Sequence, residues 1–168
     1  KRKPAKVFLM IGVNDLARGI SVDSVVKNIL LIASFLRQET PSSKLFIQSI
    51  LPVNDFYNKF QGHTGKAKLI KEVNDALSKN AAAYHFNYID LHSSFCNEDG
   101  RLKMELSNDG LHLKGEGYLL WKHLVYPFVY GWQTEPSLIP LPQQLKWNPG
   151  YFKLYNCKEI KIAHDSLQ

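Results

Sequence analysis

The chain has 168 residues, of which 45% are hydrophobic and 12% aromatic, so it can build one ordinary domain with a buried core, and global disorder is excluded. Its net charge of +6 comes from 21 basic and 15 acidic residues. The one basic cluster is 1–6, and elsewhere both signs are interspersed, so we expect no nucleic-acid partner. No apolar run reaches the roughly 18 residues that a transmembrane helix needs, so we expect no membrane-spanning segment.

The first predicted element is a strand over 6–11, a continuously apolar run that ends at the turn-like cluster 12–15. Such a run is typical of a strand that is buried on both faces of a parallel sheet. A helix is predicted over 21–38, because apolar residues recur there at spacings of three and four. Ser21 is its predicted N-cap, and it closes before Pro41.

The same two patterns then repeat along the chain. A second strand is predicted over 44–50, and a polar loop over 54–65 precedes a helical stripe from Leu69 to Tyr84. A third strand is predicted over 87–91. A last helix follows over 118–125, and we expect Pro127 to end or kink it.

This order of elements predicts an α/β domain with a parallel sheet. Ligands of such sheets bind beside the carboxyl ends of the strands. The loops at 12–15, 52–54 and 109–112 each follow a predicted strand. We therefore expect these three loops to lie at one edge of the sheet and to form a single site.

Two residues in the last loop can perform acid–base chemistry. Asp109 precedes His112 by three residues, and an Asp at this distance can orient an imidazole that acts as general base. The alternative is that Asp109 caps the following helix. In the first loop, Asn14 can offer its amide to an oxyanion beside Gly12, although both residue types also suit a simple turn.

These residues carry a resemblance to a known family. The stretch Ile11-Gly12-Val13-Asn14-Asp15 resembles the G-x-N-D block of the SGNH (GDSL-like) esterases and lipases, and Asp109-Gly-Leu-His112 resembles their terminal D-x-x-H block. The resemblance covers about residues 5–130. It implies a three-layer α/β/α flavodoxin-like fold. In the site, it implies His112 as base, Asp109 as its partner, and an oxyanion hole with Asn14 and Gly12.

The resemblance also implies a part that this chain does not contain. The family's nucleophilic Ser lies in a G-D-S block before the G-x-N-D block, and no G-D-S sequence occurs in this chain. The serines at 93, 94 and 107 lack the matching turn. We therefore predict that the chain by itself is inactive, and that an N-terminal segment or another chain supplies the nucleophile and completes the sheet.

Neither a metal nor a cofactor is predicted. The two cysteines, Cys96 and Cys157, match no metal-ligand spacing and no disulfide framework, so we expect free thiols. The first residue is Lys1 rather than Met, and a strand begins within about six residues. We therefore expect the N-terminus to be cut, and a lost export signal is compatible with this beginning.

The residues from 133 onward have a different composition, with four prolines between 136 and 149, so we predict one domain over 1–132 and a linker with the start of a second domain over 133–168. This tail resembles the opening of the N-terminal domain of family-20 β-N-acetylhexosaminidases. That resemblance implies a carbohydrate O-acetylesterase with a glycan ester substrate, in an extracytoplasmic protein. One alternative is a non-catalytic carbohydrate-binding module that uses Trp121, Trp132 and Trp147 as stacking surfaces. The other is a part of a multidomain β-N-acetylhexosaminidase.

Overall fold

The computed structural model describes residues 4–131. The predictions for the linker, the second domain and the hexosaminidase-like tail lie outside these residues and stay predictions. The described strands are β1 (Lys6–Leu9), β2 (Lys44–Gln48) and β3 (Asn87–Ile89). The described α-helices are α1 (Val13–Ala17), α2 (Val22–Glu39), α3 (Gln61–Thr64), α4 (Ala67–Asn80), α5 (His92–Phe95) and α6 (Gly115–Tyr130). Two 3₁₀ turns cover Asp55–Tyr57 and Met104–Leu106.

The three strands form one parallel sheet in the order β1-β2-β3. Lys6 pairs with Lys44 at the start of β1 and β2, and Phe46 pairs with Asn87 at the start of β3. Helix α2 connects β1 to β2, and helix α4 connects β2 to β3. Because all three strands run in the same direction, the loops that follow them emerge at one edge of the sheet.

Helices cover both faces of this sheet. Side chains alternate between the faces of a strand, and in β2 Leu45 and Ile47 join a core cluster with residues of α2 and α4. Phe46 points to the other face, where it joins a second cluster with residues of α6. The arrangement is therefore helix, sheet, helix, which confirms the predicted three-layer α/β/α fold.

The turn at 12–15 differs from its prediction, because it continues directly into a short helix. Gly12 is the N-cap of α1 with a positive φ of 120°, and Asn14 and Asp15 lie in the first turn of the helix. Leu16, on the same turn, is fully buried in the core. A glycine permits the abrupt change of direction after β1, and burial of Leu16 holds the short helix in place.

Helix α6 also differs, since it begins earlier than predicted and continues to Tyr130 with Pro127 inside it. Of the two predicted effects of Pro127, an end of the helix is wrong, and a kink stays a prediction. Packing outweighs propensity here: Trp121, Leu124 and Phe128 contact the second core cluster. At the end of α6, Nζ of Lys6 donates to the carbonyl oxygens of Phe128 (2.9 Å) and Val129 (2.6 Å), which satisfies carbonyls that a helix end leaves unpaired.

Within residues 4–131, none of the helices has both the length and the apolar character needed to cross a membrane.

Candidate active site

The loop at 109–112 places a carboxylate and an imidazole in direct contact. Oδ2 of Asp109 lies 2.8 Å from Nδ1 of His112. The other oxygen, Oδ1, accepts the backbone N–H groups of Leu111 (2.9 Å) and His112 (2.8 Å). The alternative interpretation, in which Asp109 caps the last helix, is wrong, because α6 begins at Gly115 and its N-cap is Lys114.

The environment of Asp109 keeps its carboxyl group ionised. Burial acts to raise the pKa of Asp109, but hydrogen bonds from the backbone of His112 and Leu111, together with the contact to the His112 ring, outweigh burial and hold this pKa well below its usual range. A carboxylate on Nδ1 keeps the hydrogen of a neutral imidazole there. The side chain of His112 is 64% exposed, against 15% for Asp109. Because Nδ1 of His112 is occupied by Asp109, Nε2 of His112 is the nitrogen that can take up a proton.

Buried polar groups fix the backbone of this loop. Ser107 is 2% exposed, donates to the carbonyl of His112 (2.7 Å) and accepts the N–H of Gly110 (2.9 Å). Asn54, in the loop after β2, donates its backbone N–H to the carbonyl of Gly110 (2.8 Å) and its side-chain amide to the carbonyl of Leu102 (2.8 Å). Ser107 therefore braces the loop, and Asn54 joins it to the end of β2.

Gly110 lies at the tightest point of this junction. Its φ is +83°, and a Cβ atom on it would lie 1.8 Å from the carbonyl oxygen of Asn54. We expect Gly110→Ala to lower the free energy of unfolding by at least about 3 kcal/mol, since backbone strain and a backbone clash add together. Urea denaturation measures this loss. Gly100 is the matched control, because its φ is +72° with nothing within 4 Å. Equal losses in Gly110→Ala and Gly100→Ala would contradict the close approach.

Asn14 and Gly12 lie at the carboxyl end of β1. Oδ1 of Asn14 is 3.0 Å from Nε2 of His63, which belongs to α3. Gly12 packs against the end of β2 and against α2, so that a Cβ atom there would lie 2.9 Å from Cδ1 of Ile50 and 3.2 Å from Cγ1 of Val25. The structure shows Gly12 as the residue that permits this close-packed turn. The oxyanion role of Gly12 and Asn14 stays a prediction.

Side-chain and backbone contacts bring the three predicted loops together. The loop after β2 contacts the 109–112 loop through Asn54 and Gly110. It also places Phe60 edge-on against the ring of His112, with ring centroids 5.1 Å apart, while His63 reaches Asn14. The expectation that these loops share one edge of the sheet is therefore confirmed. Sequence reasoning missed Phe60 and His63, which lie in the predicted polar loop 54–65, beyond the residues 52–54 that it placed at this edge.

Other reactive side chains of the described residues are engaged elsewhere. Sγ of Cys96 lies 3.3 Å from Nδ1 of His92, but burial raises the pKa of the Cys96 thiol, which disfavours the nucleophilic thiolate. Ser93 donates to Asp90. No group of His, Cys, Asp and Glu within residues 4–131 could hold a metal ion.

The tryptophans bear on the alternative of a carbohydrate-binding module. Trp121 packs against the second core cluster and donates its Nε1–H to Oε1 of Gln48 (2.7 Å), so its ring has a structural role. Trp132 and Trp147 lie outside the described residues.

Comparison with protein families decides the identity of the domain. The sequence model of the GDSL-like Lipase/Acylhydrolase family matches residues 1–120. The chain belongs to this family. No curated protein sequence matches the chain, but solved structures of GDSL-like proteins do.

A Streptococcus pneumonia protein, described provisionally as a platelet activating factor, is 28% identical to this GDSL-like chain, with a TM-score of 0.68 over 74% of this chain and 59% of that protein. A GDSL-like lipase from Bacteroides thetaiotaomicron is 24% identical, with a TM-score of 0.65 over 75% of this chain and 62% of the lipase. A lipase/acylhydrolase from Enterococcus faecalis is 22% identical, with a TM-score of 0.59 over 76% and 62%. The chain thus spans about three fifths of the length of these structures.

Proposed function

We propose that this chain is part of an ester hydrolase in which His112 is the general base, Asp109 orients it, and Asn14 donates to the oxyanion. The observation that carries this proposal is the 2.8 Å contact between Oδ2 of Asp109 and Nδ1 of His112, in a loop joined to the edge of the sheet where Asn14 lies. Membership of a lipase and acylhydrolase family supports the same reaction class.

The proposed reaction proceeds in two steps. Nε2 of His112 takes the proton of a serine hydroxyl while the serine oxygen attacks the ester carbonyl, and the carbonyl oxygen becomes an oxyanion that accepts a hydrogen bond from the amide of Asn14. His112 then gives the proton to the departing alcohol. Water, activated by the same imidazole, attacks the acyl-serine and releases the carboxylic acid.

We propose that the attacking serine belongs to a segment outside these 168 residues. Among the described residues, no Ser or Thr hydroxyl hydrogen-bonds to the ring of His112, and the hydroxyl of Ser107 is engaged by the backbone of its own loop. The described part of the chain places a strand on only one side of β1. Beyond β1, Met10 and Ile11 are each 39% exposed.

An apolar crevice supports the proposed position of the segment that carries the serine. It has a volume of about 150 Å³ and is lined by Met10, Ile11, Val13, Leu111 and the residues 50–53. It therefore lies between the turn that carries Asn14 and the loop that carries His112. A strand that ends beside this crevice would bring a serine next to both residues.

We propose a carbohydrate O-acetyl ester as the substrate. The support is the resemblance of the tail to a hexosaminidase domain, since removal of O-acetyl groups would prepare an acetylated amino sugar for cleavage. The experiment uses the natural full-length protein with 4-nitrophenyl acetate, 4-nitrophenyl octanoate and an O-acetylated chito-oligosaccharide. We expect acetate release from the oligosaccharide and at least about tenfold higher kcat/KM for the acetyl than for the octanoyl ester.

Hydrolysis of the octanoyl ester at an equal or higher kcat/KM, with no acetate released from the oligosaccharide, would contradict this substrate class while leaving an ester hydrolase in place. If the protein hydrolyses none of the three compounds, the proposed reaction itself is contradicted. The amide-linked N-acetyl groups of the same oligosaccharide serve as the internal control, and we expect them to remain.

A further inference from the structure

We propose that His63 is a positioning residue that fixes the side-chain amide of Asn14 with its N–H groups available to the oxyanion; this inference rests on the proposed function. The contact that motivates it is the 3.0 Å distance between Nε2 of His63 and Oδ1 of Asn14. It connects two loops that follow different strands, so it is not a by-product of local sequence.

The chemistry of an amide explains why such a partner matters. An Asn side chain carries an acceptor oxygen and a donor nitrogen at almost the same distance from the backbone, and a half-turn of the amide exchanges them. In one orientation Asn14 stabilises the oxyanion, and in the other it presents a second oxygen to that charge. A hydrogen on Nε2 of His63 selects the productive orientation, because it donates to Oδ1 and leaves Nδ2 for the substrate. Both the imidazolium and one neutral tautomer carry this hydrogen.

The backbone around His63 is held in place by an independent set of contacts. Thr64 is 2% exposed, and its hydroxyl contacts the carbonyl oxygens of Lys59 (2.9 Å) and Phe60 (3.2 Å). The N–H of His63 donates to the carbonyl of Phe60 at 2.7 Å. Asn58 and Phe60 adopt left-handed conformations with φ of 51° and 49°. Non-glycine residues keep such conformations where the surrounding structure imposes them.

The same loop contacts the other half of the site. Phe60 packs edge-on against the ring of His112, with an angle of 79° between the rings. One segment, 58–64, thus touches both the proposed base and the proposed oxyanion donor. A loop with this geometry sets the two groups relative to each other, which is the requirement for a preorganised site.

The test is a double-mutant cycle of His63→Ala and Asn14→Ala in the natural full-length protein, with 4-nitrophenyl acetate as substrate. We expect Asn14→Ala to lower kcat by about a hundred- to a thousandfold and His63→Ala to lower it by about tenfold, the effect of one hydrogen bond. KM should be unchanged, since the oxyanion exists only in the transition state. In the Asn14→Ala background, His63→Ala should have no further effect.

Two further variants separate positioning from a structural role. His63→Gln retains an N–H donor of similar reach and should recover most of the lost kcat, whereas His63→Leu should not. His85→Asn is the control, because His85 precedes β3 at the opposite edge of the sheet and has a φ of 53° that Asn tolerates. Melting temperatures of the His63 variants should stay at the wild-type value.

Several outcomes would overturn the inference about His63. The first is a tenfold loss of kcat on His63→Ala substitution in both the wild-type and the Asn14→Ala protein. The others are an effect of His63→Ala on KM alone, or equal activity of His63→Gln and His63→Leu. They are distinguishable from failure of the proposed function by a parallel measurement of His112→Ala. If His112→Ala is inert while His63→Ala keeps full kcat, only the positioning role is wrong. If His112→Ala keeps full activity, the proposed reaction is wrong.

Discussion

Replacement of His112 by alanine is expected to lower kcat for an aryl acetate by a factor on the order of a million, which is the effect of removing the base or the nucleophile of a catalytic triad. The physical reason is that, among residues 4–131, His112 is the histidine whose ring is paired with a carboxylate, and its removal takes away the proposed acceptor of the serine proton. Within residues 4–131, Asp109 contacts His112 through Nδ1, and Asp109 is itself held as a weak base by two backbone N–H groups. Release of 4-nitrophenol by the natural full-length protein measures this loss.

The structure provides reasons to expect that His112→Ala folds normally. The side chain of His112 is 64% exposed. The loop is held by hydrogen bonds of Ser107, Gly110 and Asn54, and none of these bonds uses the imidazole. His85→Asn is the control for loss of a histidine remote from the site. A melting temperature equal to wild type together with activity within tenfold of wild type would show that His112 is not the base.

Replacement of Asp109 by asparagine is expected to lower kcat by about ten thousandfold. In the variant, the amide oxygen must stay on the backbone N–H groups of Leu111 and His112, because Oδ1 of Asp109 accepts both of them at 2.9 and 2.8 Å. The amide nitrogen then faces Nδ1 of His112. Two donors cannot share one bond, so the imidazole moves its hydrogen to Nε2 and can no longer accept the serine proton there.

The control for Asp109→Asn is Asp99→Asn, which removes the same charge from an exposed turn. Steady-state kinetics and thermal denaturation of both variants should show a loss of kcat in Asp109→Asn alone. If Asp109→Asn retains activity within tenfold of wild type, Asp109 does not set the tautomer of His112, and its role is confined to bracing the loop.

The layers of the fold could be predicted from the sequence because burial leaves a periodic pattern. In α2, the buried residues Val25, Ile29 and Ala33 recur every four positions, and Ser21 caps the helix by accepting the N–H of Ser24. Strand bounds were less accurate: β1 ends at Leu9 rather than at residue 11. Met10 and Ile11 are apolar but partly exposed. They extended the predicted strand because apolar residues alone do not indicate where the hydrogen bonds between strands end.

Sheet topology predicted which loops share the edge, but side-chain contacts within the site could be predicted only where they are local. Asp109 and His112 are three residues apart, so their contact follows from one turn of chain. The contact of His63 with Asn14 joins residues 49 positions apart. It depends on the left-handed backbone at Asn58 and Phe60, and a Phe residue gives no signal in the sequence for this conformation. Tertiary structure, and not a motif, therefore brings His63 to Asn14.

The most direct test of the central claim, that His112 activates a serine from outside these residues, is labelling with a fluorophosphonate. This reagent forms a phosphorus–oxygen bond with an activated serine and releases fluoride, and peptide mass spectrometry then locates the label. In the natural full-length protein we expect one labelled serine outside residues 1–168, and no label in His112→Ala. A label on Ser93, Ser94 or Ser107, or equal labelling of the wild-type protein and His112→Ala, would contradict it.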